Sequence, residues 1–152
     1  FLFYPAIRTI YLSFKDRYAI ILALTSNSGS KDFQLISSEG KKFYERVLIE
    51  SRKWKGSENI MYVVGATKAS HLADIRQIIP DSFLLIPGIG RQGGSLKEVS
   101  FLGMNNNIGI LVNSSRSIIY ASKNEDFADN ARFEASKLQG EMELILKEKK
   151  II

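Results

Sequence analysis

The sequence contains no cysteine and a single histidine, His71. The first absence excludes disulfides and thiolate zinc sites and suits a reducing compartment. The second excludes a multi-histidine metal site. No apolar run is long enough to span a bilayer, so no membrane partner is expected. Outside the tail, Lys147 to Lys150, which is read as a frayed, solvated helix end, a block of one charge sign is missing too. The net charge is +5, yet Arg8, Lys15, Arg46, Arg52, Lys97 and Arg132 are scattered, most of them beside acidic residues. Nucleic-acid binding needs a clustered basic face, so it is not expected either. Positive charge spread in this way suits a pocket for an anionic metabolite. The spacings G-x-x-x-x-G-K-[ST] and G-x-S-x-G are both absent. Asp32, Asp74 and Asp81 fall in loops or helices rather than at strand ends, leaving no evident acid–base pair. His71 falls on a helical stretch, where a surface position is expected. The chain begins Phe1-Leu2-Phe3-Tyr4-Pro5 without an initiator Met or a basic leader, and this start is read as a cut end rather than a signal peptide.

What is present is a repeated pattern. With 152 residues, 45% of them hydrophobic, residues 1–152 fit one domain with a real core. Tyr18 to Leu24, Ile60 to Val64, Phe83 to Ile86 and Ile108 to Val112 are apolar runs of strand length. Runs apolar on both faces predict parallel strands covered by helices. Between Gly40 and Gly56, Phe43, Val47 and Trp54 share a helical face; Leu72, Ile75 and Ile79 repeat the spacing before Pro80 stops it. A short helix follows from about Ser95, and a long one runs after Asp126 as its cap, with Phe127, Ala131, Ala135, Leu138, Met142 and Ile145 on one face. Four βα units predict either a doubly wound sheet or a (β/α)8 barrel. A whole barrel typically needs about 250 residues, so four units make half of one.

The chemistry-bearing stretches fall after the strands. Pro87-Gly88-Ile89-Gly90-Arg91-Gln92-Gly93-Gly94 places four glycines between an apolar strand and a helix, a layout that lets backbone N–H groups meet an anion. Asn113-Ser114-Ser115-Arg116 follows the last strand, where a guanidinium can clamp a phosphate bidentately. A phosphate site built by the last two βα loops is a barrel habit. Gln92 carries both a donor and an acceptor, and Ser26 follows a buried strand, where it can meet the amide-like edge of a heterocycle or simply cap a turn.

Four strings, in order and at matching spacing, resemble orotidine 5'-phosphate decarboxylase, closest to its longer bacterial, type 2 branch. They are Leu24-Thr25-Ser26-Asn27-Ser28-Gly29-Ser30-Lys31-Asp32-Phe33-Gln34, Val63-Val64-Gly65-Ala66-Thr67, Leu85-Ile86 with the glycine loop, and Asn113 to Ala121. The likeness runs from about Lys15 to Leu146; residues 1–14 match poorly. The resemblance implies a (β/α)8 TIM barrel of which this chain is the C-terminal half. It also implies a cytoplasmic homodimer and a carboxy-lyase that makes UMP from orotidine 5'-phosphate with no metal or organic cofactor. Carried onto this sequence, Ser26 reads the pyrimidine amide edge and Gln92 spans phosphate and base. Arg116, with the Ser115 backbone, holds the phosphate, and Ile89 closes over the ring. Pro87 joins these substrate-binding residues, and Gly88, Gly90, Gly93 and Gly94 are the glycines of a lid loop. Arg91 departs from the small residue usual there. The family's Asp-x-Lys-x-x-Asp motif, whose lysine protonates the developing carbanion, is absent, and Lys15-Asp16 has the wrong spacing. The resemblance therefore implies a substrate-gripping half without its proton donor. The alternatives are a non-catalytic half-barrel that associates with a partner, or another phosphate-binding barrel enzyme.

Overall fold

A computed structural model describes residues 11–90 and 93–152. The apolar runs form strands β1 (Ala19–Leu24), β4 (Ile60–Val64), β5 (Leu84–Pro87) and β6 (Ile110–Asn113). A small antiparallel hairpin, β2 (Ser37–Ser38) and β3 (Lys41–Lys42), projects after the first of them. The large strands pair in the order β1-β4-β5-β6, every pair parallel. The helices are α1 (Phe43–Ser51), α2 (Leu72–Ile78), α3 (Leu96–Gly103), the single turn α4 (Arg116–Ile119) and α5 (Phe127–Glu148). Residues 1–10 of the poorly matched 1–14 segment lie outside the described residues; Tyr11–Ser13 form one 3-10 turn, and Leu12 is buried.

Strand geometry sends alternate side chains to opposite faces, and here the two faces have different fates. Ile21, Ala23, Ile60, Tyr62, Val64, Leu84 and Ile86 point one way and are buried, together with Tyr44 and Leu48 of α1, Leu72 and Ile75 of α2, and Leu96 and Val99 of α3. Each such aliphatic side chain contributes about 1.5–3 kcal/mol by leaving water, so this layer holds the fold. Within it Ser51 Oγ and Tyr62 Oη share a hydrogen bond of 2.8 Å. Among the described residues the helices cover this face of the sheet. On the second face Ile20, Leu22 and Leu111 are exposed, and Met61, Val63 and Leu85 are half-buried. Leu22, Val63, Leu85 and Leu111 lie in one register row across all four strands. That is the inward face of a barrel wall, which in a closed barrel is covered by the opposite wall.

Three other expectations shift. The buried face of α1 is Tyr44, Leu48 and Ser51; Phe43 is exposed, and Trp54 is buried beyond the helix's last residue. The last strand starts at Ile110, because Ile108 and Gly109 both adopt positive φ, 67° and 64°. On α5 only Ile145 is buried, Leu138 and Met142 pack partly against the core, and Phe127 and Ala135 are exposed. Asp126 precedes that helix without a side-chain capping bond; its carboxylate accepts from Ser122 Oγ at 2.5 Å.

The N-terminal end of the sheet is closed by Arg76. Its guanidinium donates to five carbonyls, those of Gly103 (2.6 Å), Ser82 (2.6 Å), Gly109 (2.8 Å), Ile79 (3.2 Å) and Pro80 (3.4 Å). These belong to the segments that lead into β5 and β6. Burial lowers its pKa to about 10, which leaves it charged at neutral pH.

Candidate functional site

Parallel strands deliver all their C-terminal ends to one rim, so the loops after β1, β4, β5 and β6 become neighbours in that order. Small residues stitch them together. A Cβ on Gly65, just past β4, would stand 2.1 Å from Ser26 Oγ and 2.7 Å from Ser26 N. A Cβ on Gly94 would stand 2.3 Å from the Ala66 methyl and 2.7 Å from Gly88 O. Neither gap admits a side chain. Ser26 therefore sits against the end of β4 with its hydroxyl buried and without a hydrogen-bond partner among the described residues. Beside it Thr25 N–H donates to Gln34 Oε1 at 2.8 Å, which fixes the turn that carries Ser26.

The β5 loop leaves the sheet with Pro87 opposite Asn113, and Gly88 N–H donates to Asn113 O at 3.2 Å. Gly88, Gly90 and Gly93 all adopt positive φ, at 98°, 84° and 86°, where a side chain would be strained. Gly94 is instead held by the close approaches above. Between them the loop folds back on itself: Ile89 bridges Gly94, and Gly90 N–H donates to Gly94 O at 3.2 Å. Ile89 is 5% exposed and belongs to the core. Ser95 Oγ then accepts from Glu98 N–H at 3.2 Å and caps α3. Arg91 and Gln92 lie outside the described residues.

A cavity of about 140 Å³ is lined by Pro87, Gly88, Ile89, Asn113, Ser115, Arg116 and Ser117. The structure thus gathers five of the residues expected to bind substrate or form the loop: Pro87, Gly88, Ile89, Ser115 and Arg116. Ser26 is not among the lining residues, since β4 and β5 separate its strand from β6. The Arg116 side chain is exposed and makes no hydrogen bond or ion pair with the described residues. No carboxylate is among the described residues that line the cavity, so a guanidinium whose donors none of the described residues takes up borders a small space free of competing anions. Ser115 Oγ donates to Asn113 Oδ1 at 2.8 Å and steadies the loop on that side.

Sequence reasoning met Gly65, Ala66 and Asn113 only within longer strings and gave none of them a role of its own. Period-2 alternation offers a signal for the last, which shares the open face of β6 with Leu111. His71 is also more enclosed than expected. It is half-buried with its ring edge-on to Tyr44 at 5.9 Å, and burial, then Lys42 and Lys68, hold its pKa below the usual value. Among the described residues no group of three or more acidic or histidine side chains could hold a metal ion, and no helix is long and apolar enough to cross a membrane.

Parallel βα units with one helix-covered face, one inward face and loops gathered at a single rim define part of an α/β barrel. No family model matches the chain. A curated orotidine 5'-phosphate decarboxylase from Flavobacterium johnsoniae is 59% identical over 139 residues, which are 91% of this chain and 51% of that protein. Among solved structures, Leishmania donovani UMP synthase superposes with a TM-score of 0.70 at 32% identity, covering 84% of this chain and 28% of the other. Leishmania donovani OMP decarboxylase gives 0.68 at 29% identity, covering 85% and 50%. Over most of its length the chain is similar to curated orotidine 5'-phosphate decarboxylases, and it spans about half the length of those relatives.

Proposed function

We propose that this chain carries the substrate-gripping half of an orotidine 5'-phosphate decarboxylase, the enzyme that removes CO2 from orotidine 5'-phosphate to give UMP. The observation that carries this reading is the rim cavity that Arg116, without a partner among the described residues, lines together with Pro87, Gly88 and Ile89. Arg116 holds the phosphate with Ser115 beside it, Gln92 spans phosphate and base, and Ser26, whose buried hydroxyl has no partner among the described residues, meets the pyrimidine amide edge. Phosphate is remote from the reacting carbon, so its binding energy acts by drawing the substrate into a closed site and is realised at the transition state. Proton delivery to that carbon needs a lysine these 152 residues do not place in an Asp-x-Lys-x-x-Asp motif. The open sheet face favours operation in association, with further βα units closing the barrel and the closed enzyme working as a cytoplasmic homodimer.

Two measurements on the 152-residue chain test this. Calorimetry should show UMP binding more tightly than inorganic phosphate, and binding no better than phosphate would favour another phosphate-gripping barrel enzyme. A decarboxylation assay with orotidine 5'-phosphate should show no turnover. Measurable turnover would overturn the division between a gripping half and the missing proton donor.

A further inference from the structure

The anion cavity has two walls from different strands, Pro87 to Ile89 after β5 and Asn113 to Ser117 after β6. Their separation decides whether a phosphate can touch both, so something has to set it. Asn113 points to the open face of β6, while Ser114, just past the strand, lines not this cavity but a neighbouring one, with Ile89, Gly90 and Ser117. Ser114 Oγ donates to the carbonyl of Ile89 at 3.2 Å and lies 2.6 Å from Ser117 Oγ. A serine has one hydroxyl proton. With that of Ser114 directed at Ile89, Ser117 supplies the proton of the short contact, and the two hydroxyls form a relay from α4 to the β5 loop. The pair fits closely under the loop. A Cβ at Gly90 would stand 3.3 Å from Ser117 Oγ and 3.8 Å from Ser114 Oγ. The Gly88 N–H bond to Asn113 O is a second tie between the same two walls.

We propose that Ser114, backed by Ser117, is a positioning residue that fixes the Gly88–Ile89 wall at its distance from Arg116 and so sets the phosphate affinity of the site. The inference rests on the phosphate reading above and deepens it. Loss of the Ser114 hydroxyl leaves the Ile89 carbonyl without its side-chain donor and lets the wall relax away from the guanidinium. Ser117 lines the cavity too, but it reaches the wall only through Ser114, one bond further back.

The experiment measures UMP and inorganic phosphate affinities by calorimetry, with thermal melting, for the 152-residue chain and its Ser114→Ala, Ser114→Thr, Ser117→Ala and Arg116→Ala variants. Ser114→Ala should weaken both ligands about fivefold or more, Ser117→Ala less, and Ser114→Thr should restore affinity because it returns the hydroxyl. A merely structural serine would lower the melting temperature of Ser114→Ala while leaving the affinities alone, and that result overturns the proposal. So does a Ser114→Thr variant that folds but stays as weak as Ser114→Ala. If Ser114→Ala does not fold, Ser117→Ala decides in its place, and unchanged affinity there rejects the relay. Wild-type chain that binds neither ligand removes the phosphate reading itself. Binding that Arg116→Ala abolishes and Ser114→Ala leaves intact removes only this inference.

Discussion

Arg76, at the N-terminal ends of β5 and β6, commits its guanidinium to five backbone carbonyls, while Arg116, at the C-terminal end of β6, has no partner among the described residues. The same side chain does two jobs at opposite ends of one sheet. At the lower end its donors satisfy carbonyls that would otherwise be orphaned as the chain turns back into the sheet. At the upper rim the donors are left unspent and face a cavity. A saturated arginine is therefore a fastener, and an unsaturated one beside a hollow is an anion receptor in waiting. In parallel barrels the two ends separate in this way, with stability at the bottom face and chemistry at the top.

Exchanging the fates of the two arginines is the strongest way to break the comparison. Arg76→Ala should lower stability by about 3 kcal/mol, since several charge-assisted bonds go and their carbonyls are stranded. Arg116→Ala should change stability by less than about 0.5 kcal/mol. Urea denaturation of both variants checks this, and equal losses would mean that the two ends are not specialised.

A smaller effect sharpens the account of the lower end. Ile108 holds a φ of 67° at the entry to β6, next to Gly109, whose carbonyl Arg76 binds. A β-branched residue is strained in that region. Ile108→Gly should relieve the strain by about 1 kcal/mol, less whatever the partly buried side chain contributes. A rise in melting temperature is the expected result, and a fall would show that side-chain packing outweighs the backbone term.

The smallest effect belongs to the upper end. His71 holds its proton less tightly in the fold than in the unfolded chain, because burial, followed by Lys42 and Lys68, disfavours the charged ring. Stability present above the unfolded value, about 6.5, is therefore lost as pH falls from there through the lower folded value. His71→Gln should flatten that part of the acid limb in a pH series of urea melts. An unchanged limb would assign the acid sensitivity elsewhere.

The strands were legible because Ile60 to Val64, or Ile20 to Leu24, admit little else. What covers them was not. In β1, Ile21 is packed under helices and Leu22 faces solvent, yet the two residues read alike in sequence. The burial requirement of an inward barrel face and that of a helix-covered face are chemically the same. In α1 the sequence offers aromatics at both Phe43 and Tyr44, and one step around a helix decides which is inside. The cavity was legible as two loops after consecutive strands. The distance of Ser26 from it was not, because strand order decides that and no residue type encodes it. Arg76 left no trace at all: carbonyls are present at every position, so a side chain that binds only carbonyls has no sequence partner to reveal it.

The order of the strands has one more consequence. Each large strand pairs with the large strand next to it in the chain, so no crossover has to jump over a neighbour. The entropy of closing each loop is then offset at once by the pairing it permits, and no early step waits for a distant one. Such a wall can grow unit by unit from either end, in the manner of a repeat array in which each unit leans only on its neighbours.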